Sequence, residues 1–287
     1  MKILDLLTNI DRRIIFLILA LVVVIPLIFP IAQSIRVMFP VKKLYEAVDR
    51  IPSNKVLMID SDYDPQTQPE LHPMGIALLR HAFRRKIKVA VLSLFVQPLG
   101  LAEDALNIVV GEMNKESKTH ADSIIYGRDY VFLGWQPPPI IPILGMGESI
   151  SKVYKTDYYG NKTDTLPMMR GIKNYNDVGL LVSISGGSPP VWWVAYAQNR
   201  FGLKVGAGIT AVSTSDFYPY LQTGQFSGLL AGMKGAAEYE EMVERNLQIK
   251  KRRKASEALT ALTTSHLVII LFVIIGNIGY FIKRRRK

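Results

Sequence analysis

Two long uncharged segments constrain what this chain can fold into. One runs over nineteen residues, 14–32, and the other over twenty-five residues, 258–282. About 20 apolar residues in a helix cross the hydrocarbon core of a bilayer. A cleaved signal peptide would have a shorter apolar region and a small-residue cleavage site, which 30–34 does not provide. The sequence therefore predicts two uncleaved transmembrane helices.

Two spans place both tails on one side of the membrane. The predicted organisation is an N-terminal tail (1–13), a first span (14–32), a juxtamembrane helix or linker (33–53), an α/β domain (54–248), a basic juxtamembrane segment (249–257), a second span (258–282) and a basic tail (283–287). Basic flanks tend to stay cytoplasmic, whereas long domains cross largely regardless of charge. The dense basic tail therefore favours cytoplasmic tails and an extracytoplasmic domain.

The formal net charge of +11 is concentrated around the second span. A basic tail follows that span, and a second basic cluster precedes it: Lys250, Lys251, Arg252, Arg253 and Lys254. Such clusters are attracted to anionic lipid headgroups. A nucleic-acid site would need basic residues spread over a folded face among aromatic side chains. We therefore predict membrane lipid as a partner and no nucleic acid.

Apolar strands alternate with helical patterns between the two spans. Strand patterns occupy 55–59, 89–95, 130–134, 178–184 and 205–212, and helical patterns occupy 40–52, 73–86, 101–118, 148–154, 191–201 and 218–248. Continuously apolar strands separated by amphipathic helices indicate a parallel sheet covered on both faces. The predicted fold class is α/β, a doubly wound, mostly parallel, Rossmann-like sheet of about five strands flanked by transmembrane helices.

Ligands of such sheets bind at the carboxyl ends of the strands, where the first candidate is an acidic loop. Asp60, Asp62 and Asp64 follow the first strand, with Glu70 and His72 further along. Alternate carboxylates can gather oxygen ligands around Mg²⁺ or Ca²⁺, although acids in a turn also cap helices or bind water. The strand ending in Asp-x-Asp resembles the first motif of haloacid-dehalogenase-type phosphatases, which implies a metal-dependent phosphatase; Asp64 stands where that family has Thr or Val.

A glycine turn after the fourth strand is the second candidate. Its residues, Ser185, Gly186, Gly187 and Ser188, lead into Pro189-Pro190, and glycines let the backbone approach a ligand. The turn resembles the oxyanion loop of Clp-type and signal-peptide-peptidase serine peptidases, which implies a nucleophilic serine at the next strand-to-helix junction. Ser213 and Ser215 occupy that junction, with no base assigned among His72, His81 and His120. A tight turn before a proline-started helix is the simpler alternative.

The junction after the fifth strand is the third candidate. Ser213, Ser215 and Asp216 could hold a small polar ligand there, or could form an ordinary helix cap. The segment 218–228 is similar to the last segment of periplasmic sugar-binding-type sensor domains.

Small residues and a tryptophan pair suggest contacts. Gly224, Gly228, Gly232 and Ala236 recur at steps of four, which would align them on one helix face against the sheet or against a neighbouring subunit. Trp192 and Trp193 are adjacent and cannot share a helix face, so we expect one in the core and one near the surface as a possible interface anchor.

These patterns favour a non-enzymatic, membrane-anchored binding or scaffold module. It would serve as a subunit of a membrane complex, including self-association, or as a ligand-sensing domain. The alternative is a membrane-anchored hydrolase using Ser213 or Ser215, or a metal at Asp60–Asp64. No cofactor is predicted apart from that possible Mg²⁺ or Ca²⁺, and the absence of cysteine excludes disulfides and thiolate chemistry.

Overall fold

A computed structural model describes residues 11–29, 35–117, 119, 122–249 and 254–285. The chain divides into two compact units. One is the α/β domain, Ile35–Ala255, and the other holds the two terminal segments, Met1–Ser34 and Ser256–Lys287.

The α/β domain is built on a six-stranded, all-parallel sheet. The strands are β1 (Val56–Asp62), β2 (Lys88–Leu92), β3 (Tyr130–Gly134), β4 (Val178–Ser185), β5 (Val205–Ile209) and β6 (Phe226–Ala231). They lie in the order β3-β2-β1-β4-β5-β6, and every pairing is parallel. The first five strands match the apolar runs of the sequence, so the prediction of a Rossmann-like parallel sheet is confirmed.

Helices flank this sheet on both faces. In chain order the α-helices of the described ranges are α1 (Arg12–Ile28), α2 (Phe39–Asp49), α3 (Gln68–Arg84), α4 (Leu99–Glu116), α5 (Ile140–Met146), α6 (Ile150–Val153), α7 (Pro189–Trp192), α8 (Asn199–Phe201), α9 (Thr214–Gln222), α10 (Gly232–Leu247) and α11 (Lys254–Arg285). Of these, α2 to α10 belong to the α/β domain, whereas α1 and nearly all of α11 belong to the terminal unit. A π-helical segment, Trp193–Gln198, joins α7 to α8. The prolines at the start of α7 have no N–H to leave unpaired, and Gly202 ends α8 with φ +72°.

The predicted helix over 218–248 is wrong, because β6 interrupts it. Gly224 and Gly232 have positive φ angles of +78° and +59°, a backbone conformation that favours glycine and that turns the chain before and after the strand. Leu229 and Leu230 are consecutive and both buried, as expected where helices cover both faces of a sheet. That short apolar run could be fitted equally well to a helical period.

The small-residue stripe therefore does not exist as a helix face. Gly224 lies in a turn, Gly228 in β6, Gly232 at the start of α10 and Ala236 inside α10. A Cβ atom at Gly228 would overlap the backbone of Leu44 in α2, and Leu44 is fully buried. The close approach at Gly228 is made by a helix of the same chain, which leaves no room there for a neighbouring subunit.

The terminal unit contains α1 and α11. Within the described ranges one helical segment, Lys254–Ile282, is long and apolar enough to cross a membrane; α1 has 17 described residues. Pro26 inside α1 has no N–H, so the carbonyl of Val22 lacks its usual helical donor. The Thr264 hydroxyl of α11 lies 3.4 Å from that carbonyl oxygen. The two terminal helices are thus in contact.

Candidate functional site

A cleft of about 480 Å³ opens at the carboxyl ends of β1, β2 and β4. It is lined by three segments: 62–67 after β1, 95–98 after β2, and 185–192 after β4. The strand order reverses direction between β1 and β4, and this switch point is the usual ligand position in open α/β sheets. The cleft therefore joins the acidic loop after β1 and the glycine turn after β4, which are two of the three candidate loops.

Two buried carboxyl groups stand at this switch point. Asp60 and Asp62 are two residues apart in β1, so their side chains project from the same face of the sheet. The strand register places Ser183 of β4 beside Asp60, and the Ser183 hydroxyl donates to Asp60 Oδ2 at 2.6 Å. The indole Nε1 of Trp193 donates to the same oxygen at 2.6 Å.

Asp62 is held in the same way by the chain leaving β2. The hydroxyl of Ser93 and the backbone N–H of Leu94 donate to Asp62 Oδ1 at 2.5 and 2.9 Å. Each carboxyl group thus has one oxygen with two donors. The second oxygens, Oδ1 of Asp60 and Oδ2 of Asp62, are buried and have no hydrogen-bond partner in the part of the chain that the structure describes.

The two carboxyl groups are within hydrogen-bonding reach of each other. Burial, followed by the nearby Asp62 carboxylate, raises the pKa of Asp60 well above its ordinary value. Burial also raises the pKa of Asp62, while hydrogen bonding with Asp60 and the donors from Ser93 and Leu94 oppose that shift. Two adjacent buried carboxylates repel each other, and this repulsion favours retention of one proton by the pair.

Asp62 also lines the cleft, where it is only 6% exposed. Two aromatic rings, Phe95 and Trp192, form part of the wall with centroids 5.9 Å apart and planes tilted by 53°. Of the residues that line the cleft in the described part of the chain, none is lysine, arginine or histidine. A protein with a net charge of +11 therefore has an acidic, aromatic cleft.

The glycine turn brings its backbone close to the wall of the cleft. A Cβ atom at Gly186 would lie 3.0 Å from Thr67 Cγ2, which is closer than side chains ordinarily pack, whereas a Cβ atom at Gly187 would have no neighbour nearer than 3.8 Å. The Ser185 hydroxyl accepts from the backbone N–H of Gly187 at 3.0 Å. The turn is thus compact, with free space above Gly187.

A relay of polar side chains leads away from the cleft. Tyr63 lines the cleft, and its hydroxyl lies 2.9 Å from Nδ1 of His72 in α3. His72 Nε2 is 3.2 Å from Asp104 Oδ2 in α4. Burial lowers the pKa of His72, with Asp104 acting in the opposite sense. His72 is therefore one residue removed from the cleft and holds Tyr63 in place.

The acids after β1 separate into buried and exposed positions. Asp64 is exposed and caps the following turn through Thr67, whose backbone N–H and hydroxyl lie 3.0 and 2.9 Å from Asp64 Oδ1. These bonds lower the pKa of Asp64. Glu70 accepts from the backbone N–H of Ala211 at 2.8 Å. In the part of the chain that the structure describes, no three His, Asp or Glu side chains are grouped to hold a metal ion.

The serines after β5 lie outside the cleft. Ser213 Oγ is 3.0 Å from Thr210 Oγ1, and Ser215 Oγ is 3.3 Å from Oδ1 of Asp216. The structure places His81 elsewhere, between Tyr239 and Asp49, and His120 is outside the described residues. Neither serine has a histidine among the hydrogen-bond partners found in the described ranges.

Three residues of the site carry no signal in the sequence. Ser93 and Trp193 donate to the two aspartates, and the buried Tyr154 hydroxyl, which has no hydrogen-bond partner within the described ranges, is in electrostatic range of both. Trp193 is 133 positions from Asp60 along the chain. Its complete burial beside a half-exposed Trp192 matches the expected division of the tryptophan pair, but nothing in that pattern indicates its acceptor.

Comparison with known proteins adds no relative to this description. No family model, no curated protein and no solved structure matches the chain.

Proposed function

We propose that this protein is a membrane-anchored α/β module that binds a small molecule in the cleft between β1, β2 and β4. The observation that carries the proposal is Asp62, a buried residue that lines the cleft and whose Oδ2 atom has no hydrogen-bond partner among the described residues. Leaving a buried acceptor unpaired costs about 1–3 kcal/mol. Binding sites keep such unpaired groups, despite their cost in stability, because a bound ligand can supply the missing hydrogen-bond partner.

The size and position of the cleft support the same proposal. Small-molecule sites typically occupy about 300–1,000 Å³ and combine aromatic walls with a few placed polar groups. The cleft has this size, and Trp192, Phe95 and Asp62 are among the residues that line it. The two serines of the hydrolase alternative lie outside it, and the acids of the metal alternative are divided between Asp60 and Asp62 inside and Asp64 on the surface. Sensing or delivery of a ligand therefore fits better than hydrolysis.

Two spans and an extracytoplasmic domain remain part of the proposal. The Thr264 hydroxyl donates within α11 to the Thr260 carbonyl at 2.9 Å and lies 3.4 Å from the Val22 carbonyl of α1, and this proximity of the two helices supports a helix pair. The uncharged run over 14–32 extends beyond the described end of α1. The basic segment 250–253 is outside the described residues, and Lys254 opens α11 in an exposed position.

Cysteine labelling tests the orientation, because the chain has no cysteine of its own. Asn54→Cys lies at an exposed turn of the domain, and Lys287→Cys lies in the basic tail. A membrane-impermeant maleimide should label Asn54→Cys in intact cells and Lys287→Cys only after permeabilisation. The opposite pattern contradicts the proposed orientation, and labelling of Lys287→Cys together with Asn54→Cys contradicts the two-span topology.

Small molecules retained by the full-length protein test the function. Gly187→Leu fills the cleft without a backbone clash, and Gly111→Leu is the matched control, since a Cβ atom there would meet nothing within 4 Å. We expect mass spectrometry to find a compound that purifies with the wild type and with Gly111→Leu but not with Gly187→Leu. Equal retention by all three proteins, or by none, contradicts binding in this cleft.

A further inference from the structure

The chemistry of the cleft narrows the class of ligand. Asp62 and Asp64 both line it, and no basic side chain among the described lining residues offsets them. Asp64 accepts hydrogen bonds that favour its charged form, so the rim is negative. Phosphate and carboxylate ligands need positive partners such as arginine or lysine. The charge of the cleft therefore disfavours the binding of anionic ligands.

The aromatic wall complements this negative charge. Trp192 is half-exposed, and Phe95 is 36% exposed. The faces of aromatic rings, tryptophan above all, attract ammonium groups within about 6 Å of the ring centroid. A carboxylate beside such rings is the combination that recognises alkylammonium groups, because the charge meets the acid while the carbon atoms cover the rings.

The second buried carboxyl group adds to this preference. Asp60 precedes Asp62 by two residues in β1 and is completely buried, and its Oδ1 atom has no hydrogen-bond partner among the residues that the structure describes. Two carboxyl groups in contact cannot both be charged at low cost unless a cation stands beside them. A cationic ligand at Asp62 supplies that compensation, whereas a neutral ligand does not.

We propose that the cleft binds an organic cation, a protonated or quaternary alkylammonium group that pairs with Asp62, lies against Trp192 and Phe95, and is reinforced by Asp60. This inference rests on the proposed function and assigns the ligand class of the same cleft. Binding displaces the proton shared by the two aspartates to solvent, so the charge of the ligand replaces the charge of that proton.

Calorimetric titration of the full-length protein in nanodiscs tests the inference. The probes are choline, tetramethylammonium and n-butylammonium, with 3,3-dimethyl-1-butanol as the uncharged isostere of choline and inorganic phosphate as the anion. We expect at least one of the cations to bind, the isostere to bind about tenfold more weakly or worse, and phosphate not to bind. Choline heats measured in buffers of different ionisation enthalpy should report proton release.

Variants identify the residues responsible. Asp62→Asn keeps an oxygen for Ser93 and Leu94 but removes the charge, and we expect it to weaken cation binding about tenfold or more. Trp192→Leu should weaken it several-fold, and Asp60→Asn should weaken it while abolishing proton release. Asp164→Asn, an exposed acid away from the cleft, should bind as the wild type does.

The outcomes separate the two proposals. Binding of the neutral isostere as tightly as choline, unchanged affinity in Asp62→Asn, or no binding of any cation at tens of millimolar overturns the cation inference. If the neutral or anionic probe binds and Gly187→Leu blocks it, the cleft remains a ligand site and only the ligand class is wrong. If cations bind equally to wild type and Gly187→Leu, the proposed cleft itself is wrong.

Discussion

The indole N–H of Trp193 donates to Asp60 Oδ2 at 2.6 Å, deep in the domain. Trp193 begins a π-helical segment, a feature that often marks functional positions, and its neighbour Trp192 reaches the cleft. One helical turn thus fixes the buried carboxyl group through one tryptophan and forms the cleft wall with the next.

The Asp60–Asp62 pair should lower the stability of the domain as pH rises. Burial raises the pKa of Asp60 in the folded state above its value in the unfolded state. The contribution of Asp60 to the free energy of unfolding is therefore complete below the ordinary carboxyl pKa and is lost as the pH rises through the pKa of the folded state. Asp60→Asn cannot ionise, so we expect it to raise the free energy of unfolding at neutral pH by roughly 1–3 kcal/mol. Urea unfolding followed by circular dichroism across pH, with Asp164→Asn as the control, measures this; a less stable Asp60→Asn at neutral pH contradicts it.

His81 should have the opposite pH dependence. It is fully buried, with Nδ1 2.7 Å from the Tyr239 hydroxyl and Nε2 3.3 Å from Asp49. Burial lowers the pKa of His81 to about 4. The contribution of this residue to the free energy of unfolding is therefore complete above the pKa of the unfolded state and is lost as the pH falls towards 4. We expect the protonation of His81 to lower the free energy of unfolding by about 2 kcal/mol when the pH falls from about 7.5 to about 5.

His81→Gln isolates this contribution. The variant should be less stable than the wild type at neutral pH but should lose less free energy of unfolding on acidification. His72, whose pKa burial also lowers, contributes in the same direction and remains in both proteins. An identical acid loss in wild type and His81→Gln contradicts the assignment.

Gly228→Ala should unfold the domain rather than dissociate an oligomer. The added Cβ atom would overlap the backbone of Leu44, which cannot move without lifting α2 from β6. We expect a loss of roughly 3 kcal/mol. Gly171→Ala is the control, since its Cβ atom would meet nothing within 4 Å. Thermal unfolding and native mass distinguish packing within the domain from a subunit interface at Gly228. An unchanged thermal stability together with an altered native mass would favour the subunit interface.

Ser213 and Ser215 should be unreactive towards fluorophosphonate probes. A nucleophilic serine needs a general base within about 2.6–3.2 Å, and the hydroxyls of these two residues lie near Thr210 and Asp216 instead. We expect no labelling of the full-length protein under conditions that label a known serine hydrolase. Labelling that disappears in Ser213→Ala or Ser215→Ala would favour the hydrolase alternative.

Sequence patterns predicted the parallel sheet because five strands are continuously apolar and separated by turns. They missed β6, since six residues between two positive-φ glycines fit a helical period as well as a strand. The sequence patterns identified the loops after β1 and β4. They did not predict that both loops line one cleft, because that depends on the order of the strands in the sheet. Ser93 and Trp193 escaped because their contacts with the aspartates span 31 and 133 positions, and no local pattern encodes such pairings.

Ligand entry into the cleft that Asp62 lines can be followed through the three tryptophans of the chain. With 5-fluorotryptophan incorporated and the signals assigned by single Trp→Phe variants, ¹⁹F NMR can follow a titration with small cationic and neutral fragments. We predict that binding fragments shift the Trp192 signal, leave Trp135 unchanged, and lose both affinity and shift in Gly187→Leu. Fragments that bind without moving the Trp192 signal, or that move it equally in Gly187→Leu, would contradict the account.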